Sequence, residues 1–162
     1  MAKGETAAER LVRLNGLQAT FRVIDVAKDR KTSALDMAAA SGIEPARLFK
    51  TLIVETEERK LAVAVVPASC DLDRKALARV MGTRRVDLAP KDKAIKTSGY
   101  QMDACSPLGQ KKKLPTFIDE SARIFTTIFV SDGAYGLELE IAPEVLAQAT
   151  QAVFAAISHD VG

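Results

Sequence analysis

The hydrophobic and polar positions of the chain follow a helical period in some stretches and an alternating period in others. Residues 6–17 carry apolar side chains on one helical stripe, and Asn15-Gly16 near the end of this stretch is a stop signal. We therefore predict an amphipathic helix there. Residues 21–26 alternate as a half-buried strand does. Residues 34–40 return to the helical period. The first forty residues therefore predict a helix, a strand and a helix in turn.

Two apolar runs in the middle of the chain predict a β-hairpin. Residues 51–54 and 61–66 are almost wholly apolar and flank the charged residues 57–59, so both strands are expected to be buried. Pro45 favours the first turn of a short helix that reaches residue 49. The hairpin is expected to follow that helix directly.

Helical spacing returns after the hairpin. Residues 72–81 place apolar side chains on one face, and Asp71 and Gly82 stand where an N-cap and a C-terminal stop belong. A structural role is sufficient to explain this pattern. Residues 90–96 predict a second, short helix that is rich in lysine.

The last third of the chain predicts strands followed by one more helix. Residues 116–118, 123–130 and 137–141 have the pattern of strands, and Pro143 opens a helix whose apolar face extends to residue 157. Hairpins and peripheral helices without a regular βαβ repeat indicate the α+β class.

Composition is typical of one soluble globular domain. The chain has 162 residues, of which 48% are hydrophobic and 27% charged, enough to bury a sizeable core. No apolar run approaches the roughly 20 residues that span a bilayer, so we expect no membrane association and a cytoplasmic location. The net charge of +2 permits binding to nucleic acid but does not argue for it.

The cysteines and the histidine exclude several kinds of catalytic site. Cys70 and Cys105 have no paired-ligand spacing, so we expect free thiols rather than a disulfide or a metal site. His159 is the only histidine and is expected to be a solvated tail residue. Catalysis by Ser-His-Asp or Cys-His groups and the common zinc sites need an internal imidazole. With no phosphate-binding glycine loop either, we expect neither a metal nor a nucleotide cofactor.

Most of the candidate chemistry lies in residues 99–119, GYQMDACSPLGQKKKLPTFID. Ser106-Pro107-Leu108-Gly109 predicts a rigid turn, because Pro107 fixes its own φ and Gly109 can adopt a positive φ. A lysine triplet, residues 111–113, follows at once. A rigid turn with a cationic flank suits an anionic ligand.

This segment is one part of a wider resemblance. Together with FKTL at 49–52, LAVAV at 61–65 and Val130-Ser131-x-Gly133, in the same order, it resembles the YbaK/EbsC family of aminoacyl-tRNA deacylases over residues 21–157. The resemblance implies a single editing domain, residues 1–162, with a mixed, mainly antiparallel sheet or barrel-like core and peripheral helices. It also implies hydrolysis of mischarged tRNA, above all Cys-tRNA(Pro), with tRNA and prolyl-tRNA synthetase as partners.

Lys50 is the candidate catalytic residue. Its position, between a predicted helix and an apolar strand, favours a solvated lysine at a strand edge over a functional one. The resemblance reverses that preference, because Lys50 matches the family's functional lysine. In the implied role its ammonium holds the terminal ribose or a phosphate of tRNA and helps to place the ester carbonyl.

The resemblance also implies a substrate pocket. Backbone N–H groups of the turn would face the developing oxyanion, and water or the substrate's own thiol would attack the ester. Asp103 and Ala104 stand where the family usually has glycine, and a carboxylate there would narrow the pocket or repel a phosphate. Glu138 stands where the family tends to have aspartate. The expected pocket residues are Thr51, Tyr100, Asp103, Ala104, Cys105, Ser106, Pro107, Ser131, Gly133 and Glu138.

Two clusters of lysines are candidates for tRNA binding, because a local excess of positive charge can follow an RNA backbone. They are Lys111, Lys112 and Lys113 in the loop, and Lys91, Lys93 and Lys96 in the helix before it. The alternative for these residues is a solvated charged face. For the whole chain, the alternative function is a non-catalytic tRNA-binding or regulatory module on the same fold.

Overall fold

The structure, a computed structural model, describes residues 5–23, 38–39, 42–134 and 136–160. Its α-helices are α1 (Ala7–Leu14), α2 (Arg74–Met81), α3 (Lys91–Ser98) and α4 (Pro143–Thr150), and Met102–Ala104 and Glu120–Ile124 are 3-10 helices. Its strands are β1 (Ala19–Val23), β2 (Phe49–Thr56), β3 (Leu61–Pro67), β4 (Cys70–Leu72), β5 (Val86–Leu88), β6 (Thr116–Asp119), β7 (Ile128–Ser131), β8 (Leu137–Ile141), β9 (Val153–Ala155) and β10 (Ser158–Asp160).

The strands form three sheets among the described residues. The largest has the order β5-β2-β3-β6-β9, in which β5, β2 and β3 pair antiparallel and β6 joins β3 and β9 in parallel. The second, β1-β8-β7, and the third, β10-β4, are antiparallel. The predicted α+β class with mainly antiparallel pairing is confirmed, although these ladders are not closed into a barrel.

The hydrophobic core lies on both faces of the five-stranded sheet. Phe49, Ile53 and Val65 belong to the main cluster, which also contains side chains of the three-stranded sheet and of α1. Val54 and Val66 belong to a second cluster, which α2 covers. The predicted hairpin is confirmed as β2 and β3, and β3 is buried along almost its whole length.

Among the described residues, an isolated β-bridge joins the five-stranded and three-stranded sheets. Leu48 pairs with Phe129 in parallel, and both side chains are buried in a third, smaller cluster. Side chains alternate along a strand, so Lys50 on β2 faces the same side as Leu48, two residues earlier. Ser131 on β7 likewise faces the same side as Phe129. The bridge thus fixes the relative position of strands that carry candidate site residues.

The helix ends follow ordinary capping chemistry. Thr6 caps α1 in a capping box with Glu9. Gly82 ends α2 with a positive φ of 71°, as predicted. The N-cap of α2 is Asp73, whose carboxylate accepts a hydrogen bond from Ala76 N at 3.0 Å. The prediction that Asp71 is the cap was therefore wrong, because α2 begins two residues later.

The end of the chain departs most from the predicted helix. α4 ends at Thr150, and Gln151 adopts a left-handed C-cap conformation with a φ of 55°. β9 then extends the five-stranded sheet, and β10 pairs with β4. His159 is exposed, as expected, but it pairs with Asp71 in β10 and so is part of a sheet rather than of a free tail.

Two other predicted elements also differ. Residues 45–47 form a turn rather than a helix, since Leu48 already bridges to β7. Residues 120–124 form a 3-10 helix that the Asp119 carboxylate caps, and the strand begins only at Ile128. Most of the predicted helix at 34–40 lies outside the described residues, within which Ala38 and Ala39 are helical.

Candidate functional site

The turn at residues 106–109 is buried and internally hydrogen bonded. Ser106 Oγ accepts a hydrogen bond from Leu108 N at 3.2 Å, and Gln110 Nε2 donates to Ser106 O at 2.9 Å. Gly109 has a φ of 66°, as the sequence predicts. The segment from Ala104 to Leu108 is buried. The backbone of the turn is thus held in place without any ligand.

A second turn follows β7. Ser131 Oγ accepts a hydrogen bond from Gly133 N at 3.2 Å, and Asp132 N donates to Leu137 O at 3.0 Å. Asp132 is wholly buried, and Gly133 has a φ of 99°. Burial of Asp132 could not be predicted from the sequence, because the residue lies in a turn between Ser131 and Gly133.

Tyr100 joins the two turns. Its hydroxyl donates a hydrogen bond to Leu108 O at 2.5 Å, and its ring lies so close to Gly133 that a Cβ there would be 2.5 Å from Cε1. Burial raises the pKa of the Tyr100 hydroxyl, and the Cys105 and Asp132 side chains raise it further. The phenol therefore stays protonated and remains a donor.

Two buried backbone N–H groups of the first turn have no hydrogen-bond acceptor among the residues that the structure describes. Within the described part of the chain, neither Cys105 N nor Ser106 N donates a hydrogen bond, whereas Ala104 N donates to Gln101 O and Leu108 N to Ser106 Oγ. Cys105 and Ser106 are 4% and 0% exposed. Buried N–H groups without a partner are costly, so a ligand oxygen that accepts from both would be bound favourably.

Glu138 is a buried carboxyl group opposite the second turn. It pairs in register with Ser131, is 3% exposed, and its Oε2 forms no hydrogen bond with any residue that the structure describes. Burial raises the pKa of Glu138 to about 8, and the nearby Asp132 carboxylate contributes to the rise. The group is therefore mainly neutral at pH 7.

Lys50 lies on the Ser131 and Glu138 side of β2, as the bridge requires. Its Nζ is 3.9 Å from Asp71 Oδ1, and the side chain is 29% exposed. It lines a cavity of about 700 Å³ together with Asp71, Lys75 and His159. The ammonium therefore has open space beside it in which an anionic group could bind.

Thr51 faces the other side of β2. It lies between Phe49 and Ile53, which belong to the same buried cluster as Tyr100 and Cys105. Its Oγ1 is buried and forms no hydrogen bond within the described ranges. Strand alternation thus separates Thr51 from Lys50, while it brings Thr51 to the side of the first turn.

The environment of Cys105 does not favour a nucleophilic thiolate. Burial raises the pKa of its thiol to about 11, and a hydrogen bond with Ser98 lowers it only in part. Gln110 Nε2 lies 3.8 Å from its Sγ. Both cysteines have free thiols, and Cys105 is buried whereas Cys70 is only partly buried.

The two lysine clusters are adjacent. Lys111 N and Lys112 N donate hydrogen bonds to Ser98 O and Thr97 O at the end of α3. The loop lysines 111–113 are exposed, as are Lys91 and Lys96. Lys93 differs, because its ammonium forms an ion pair with the Glu55 carboxylate and thereby lowers the pKa of Glu55. Lys93 is thus the least suited of the six to contact RNA.

The sequence of the chain is similar to those of known proteins. Residues 28–149 match the model of the aminoacyl-tRNA editing domain. The chain is also 38% identical over 126 residues to a protein of Enterococcus faecalis that carries the provisional name Cys-tRNA(Pro)/Cys-tRNA(Cys) deacylase EbsC, covering 78% of this chain and 77% of that protein. The chain belongs to the aminoacyl-tRNA editing domain family.

Part of a proline–tRNA ligase is similar to this chain in sequence, and two solved structures share its fold. A segment covering 46% of the chain is 26% identical to 13% of a proline–tRNA ligase of Brachyspira hyodysenteriae. The crystal structure of the hypothetical protein APE2540 superposes with a TM-score of 0.85 at 22% identity, covering 94% of this chain and 99% of that one. A structure provisionally described as a trans-editing enzyme for prolyl tRNA synthetase gives 0.81 at 20% identity, covering 97% and 99%.

One predicted site residue, Asp103, is described only in part. Its backbone belongs to a 3-10 helix, and its side chain lies outside the described residues.

Among the described residues, no three His, Cys, Asp or Glu side chains gather as metal ligands do. In the same ranges no helix combines the length and the apolar character needed to cross a membrane.

The raised pKa of Glu138 predicts a pH-dependent stability. Between pH 4.5, its ordinary value, and about pH 8, the folded protein keeps a proton that the unfolded chain has lost. The contribution of Glu138 to the free energy of unfolding is fully present below pH 4.5 and is lost as the pH rises through about 8. Relative to Glu138→Gln, the wild type should lose about 1–3 kcal/mol between pH 5 and 8.5.

Urea unfolding at a series of pH values measures this difference. Glu120→Gln, which removes an exposed carboxylate, is the control and should show the wild-type pH profile. Parallel profiles for the wild type and Glu138→Gln would mean that Glu138 is not protonated in the folded protein.

The contact between Gly133 and Tyr100 predicts a severe effect of a single methyl group. Gly133→Ala should displace the Tyr100 ring and cost about 2–4 kcal/mol of stability. Gly82→Ala is the matched control, since Gly82 also has a positive φ of 71° but nothing within 4 Å of an added Cβ. It should cost only about 1–2 kcal/mol. Urea unfolding and the near-ultraviolet tyrosine signal measure both effects, and equal costs would contradict the close contact.

Proposed function

We propose that the protein hydrolyses the ester bond of mischarged tRNA, with Cys-tRNA(Pro) as its main substrate. The observation that carries this proposal is the pair of buried, unused N–H groups of Cys105 and Ser106. Preorganised donors of this kind stabilise the oxyanion that forms when an ester is attacked. Membership of the editing domain family and the Enterococcus relative support the same substrate class.

The attacking group comes from water or from the substrate. Cys105 is held as a neutral thiol, and His159 is exposed on β10. An ordered water can add to the carbonyl carbon, after which the bond to the ribose oxygen breaks and that oxygen takes up a proton. With a cysteinyl group the substrate's own thiol can attack in the same way, and proximity then supplies most of the rate.

Glu138 is the proposed group that recognises the α-ammonium of the amino acid. Its neutral form at pH 7 carries one unused oxygen, Oε2. An ammonium placed beside it would favour ionisation and form a charge-assisted hydrogen bond. Thr51 Oγ1, another buried group without a hydrogen bond among the described residues, would accept or donate on the side of the first turn. Ser131, Gly133, Tyr100, Ala104 and Pro107 would shape the pocket, and the backbone of Asp103 would border it.

Lys50 is the proposed contact to the terminal ribose or phosphate. It lies on the Ser131 and Glu138 side of β2 and beside an open cavity. Asp71, at 3.9 Å, leaves its ammonium donors for a ligand. A phosphate there would position the ester without contributing to the choice of amino acid.

Prolyl-tRNA synthetase is the proposed partner. The similarity to a segment of a proline–tRNA ligase supports an editing role that complements this synthetase. Identity of the tRNA would then be read by the synthetase, since phosphate contacts alone carry no sequence code. Charged tRNA occurs where translation takes place, so we place the protein in the cytoplasm.

Deacylation of charged tRNA tests the function directly. Purified protein should release cysteine from Cys-tRNA(Pro) faster than it releases alanine or serine from the matching tRNAs. Lys50→Ala should reduce the rate by about 100-fold or more, the range for a residue that places the ester, while the thermal midpoint changes little because Lys50 is partly exposed.

Lys60→Ala is the matched control, because Lys60 lies on the same hairpin and is exposed. Equal rates in Lys50→Ala and the wild type would remove Lys50 from the mechanism. Binding of tRNA without release of any of the three amino acids would instead favour a tRNA-binding module.

The lysine triplet should supply phosphate contacts. Replacing Lys111, Lys112 and Lys113 with glutamine should weaken tRNA binding and reduce the slope of log K against log[salt] by about 2, the value for three phosphate contacts. The control replaces Lys60, Arg79 and Arg85, three exposed cations elsewhere, and removes the same total charge. An equal change of slope in both variants would show that only the overall charge matters.

A further inference from the structure

The first residues of α1 contact both turns of the candidate site. Thr6 Oγ1 donates a hydrogen bond to Asp132 Oδ2 at 3.1 Å. The Ala7 backbone lies against Gly109, where an added Cβ would be 2.7 Å from the Ala7 carbonyl carbon and 2.8 Å from its oxygen. Two consecutive residues thus contact the two turns, Thr6 the Asp132 turn and Ala7 the Gly109 turn. Tyr100 joins the same two turns independently.

The direction of the Thr6 hydroxyl is fixed. Its oxygen accepts a hydrogen bond from Glu9 N at 3.0 Å, and Glu9 Oε2 accepts one from Thr6 N at 3.0 Å. The single hydroxyl proton is therefore available to Asp132. Ala8 is fully buried and Val12 is 7% exposed in the main cluster, so the helix itself is anchored. The Thr6–Asp132 contact rests on a rigid support.

This segment lies outside residues 28–149, to which the family model applies. We propose that Thr6 is a positioning residue of the deacylation site: through Asp132 it fixes the turn that carries Ser131 and Gly133, opposite the N–H groups of Cys105 and Ser106. The inference rests on the proposed function, since it assigns Thr6 to the same reaction.

The expected effect is on turnover rather than on tRNA affinity. Thr6 acts on a buried carboxylate, Asp132, and Asp132 N is bonded in turn to Leu137 O in the strand that carries Glu138. A small displacement of reacting groups greatly lowers the rate. The exposed lysines proposed to bind RNA lie on α3 and in the loop after Gln110, which Thr6 does not contact. KM should therefore change much less than kcat.

Three variants test the proposal. Thr6→Val keeps the shape of the side chain but removes both the N-cap and the bond to Asp132. Thr6→Ser keeps the hydroxyl. Gly82→Ala strains the C-cap of α2, another helix of eight residues, at a position where an added Cβ has nothing within 4 Å. It therefore controls for a loss of stability that arises at a helix end, about 1–2 kcal/mol.

We expect Thr6→Val and Gly82→Ala both to lower the thermal midpoint, while only Thr6→Val lowers kcat, by about tenfold, with KM for charged tRNA nearly unchanged. Thr6→Ser should retain at least half of the wild-type kcat. A wild-type kcat in Thr6→Val, or an equal loss of kcat in Gly82→Ala, would overturn the proposal.

A measurement without turnover separates this proposal from the function itself. In protein labelled with ¹⁵N-glycine, nine backbone amides are observed. Thr6→Val should shift the Gly133 resonance and leave that of Gly82, at the far end of α2, in place. An unchanged Gly133 amide resonance in Thr6→Val would overturn the positioning role even if the protein proves active. A shifted Gly133 in a protein that hydrolyses no charged tRNA would support the positioning of the turn and reject the reaction.

Discussion

The Tyr100 ring and its buried hydroxyl lie between two turns, at residues 106–109 and 131–133. The hydroxyl donates to Leu108 O, and the ring occupies the space that a side chain at position 133 would need. A buried phenol without an acceptor would cost more than the bond contributes, so the two turns cannot move apart without penalty. Glycine at 133 is then required twice, once for its φ of 99° and once for the ring. Together with Thr6 and Ala7, which also contact both turns, this one side chain therefore sets the separation of the turns.

Alternation along β2 divides the candidate residues between two sides. Phe49, Thr51 and Ile53 face the main cluster, whereas Leu48 bridges to Phe129 on the other side and Lys50 follows it. Lys50 and Glu138, the proposed contacts to the ribose and to the α-ammonium, therefore lie on one side of β2, and Thr51 lies on the other side, with the first turn.

The sequence was most informative where a local signal has a local cause. The capping residues around α1, the glycines at 82 and 109 and the hairpin all follow from neighbouring residues, and the resemblance correctly indicated the family. Local patterns were misleading where a distant partner decides. The apolar residues after Thr150 fit a helical face, yet β9 pairs with β6, and Asp119 Oδ1 accepts a hydrogen bond from Ile157 N at 2.9 Å. The burial of Asp132 and the pairing of Lys93 with Glu55 also depend on such partners, so they could not be predicted.

Two buried carboxyl groups near the proposed oxyanion site would ordinarily be unfavourable, because each would oppose the negative charge of the intermediate. The structure reduces this conflict in two different ways. Asp132 receives a hydrogen bond from Thr6, whereas Glu138 has its pKa raised to about 8 and so stays mainly neutral at pH 7. An α-ammonium that approached Glu138 would favour its ionisation, and the two charges would then largely cancel. A buried carboxyl of this kind can therefore recognise a positive group without adding a net negative charge to the proposed site.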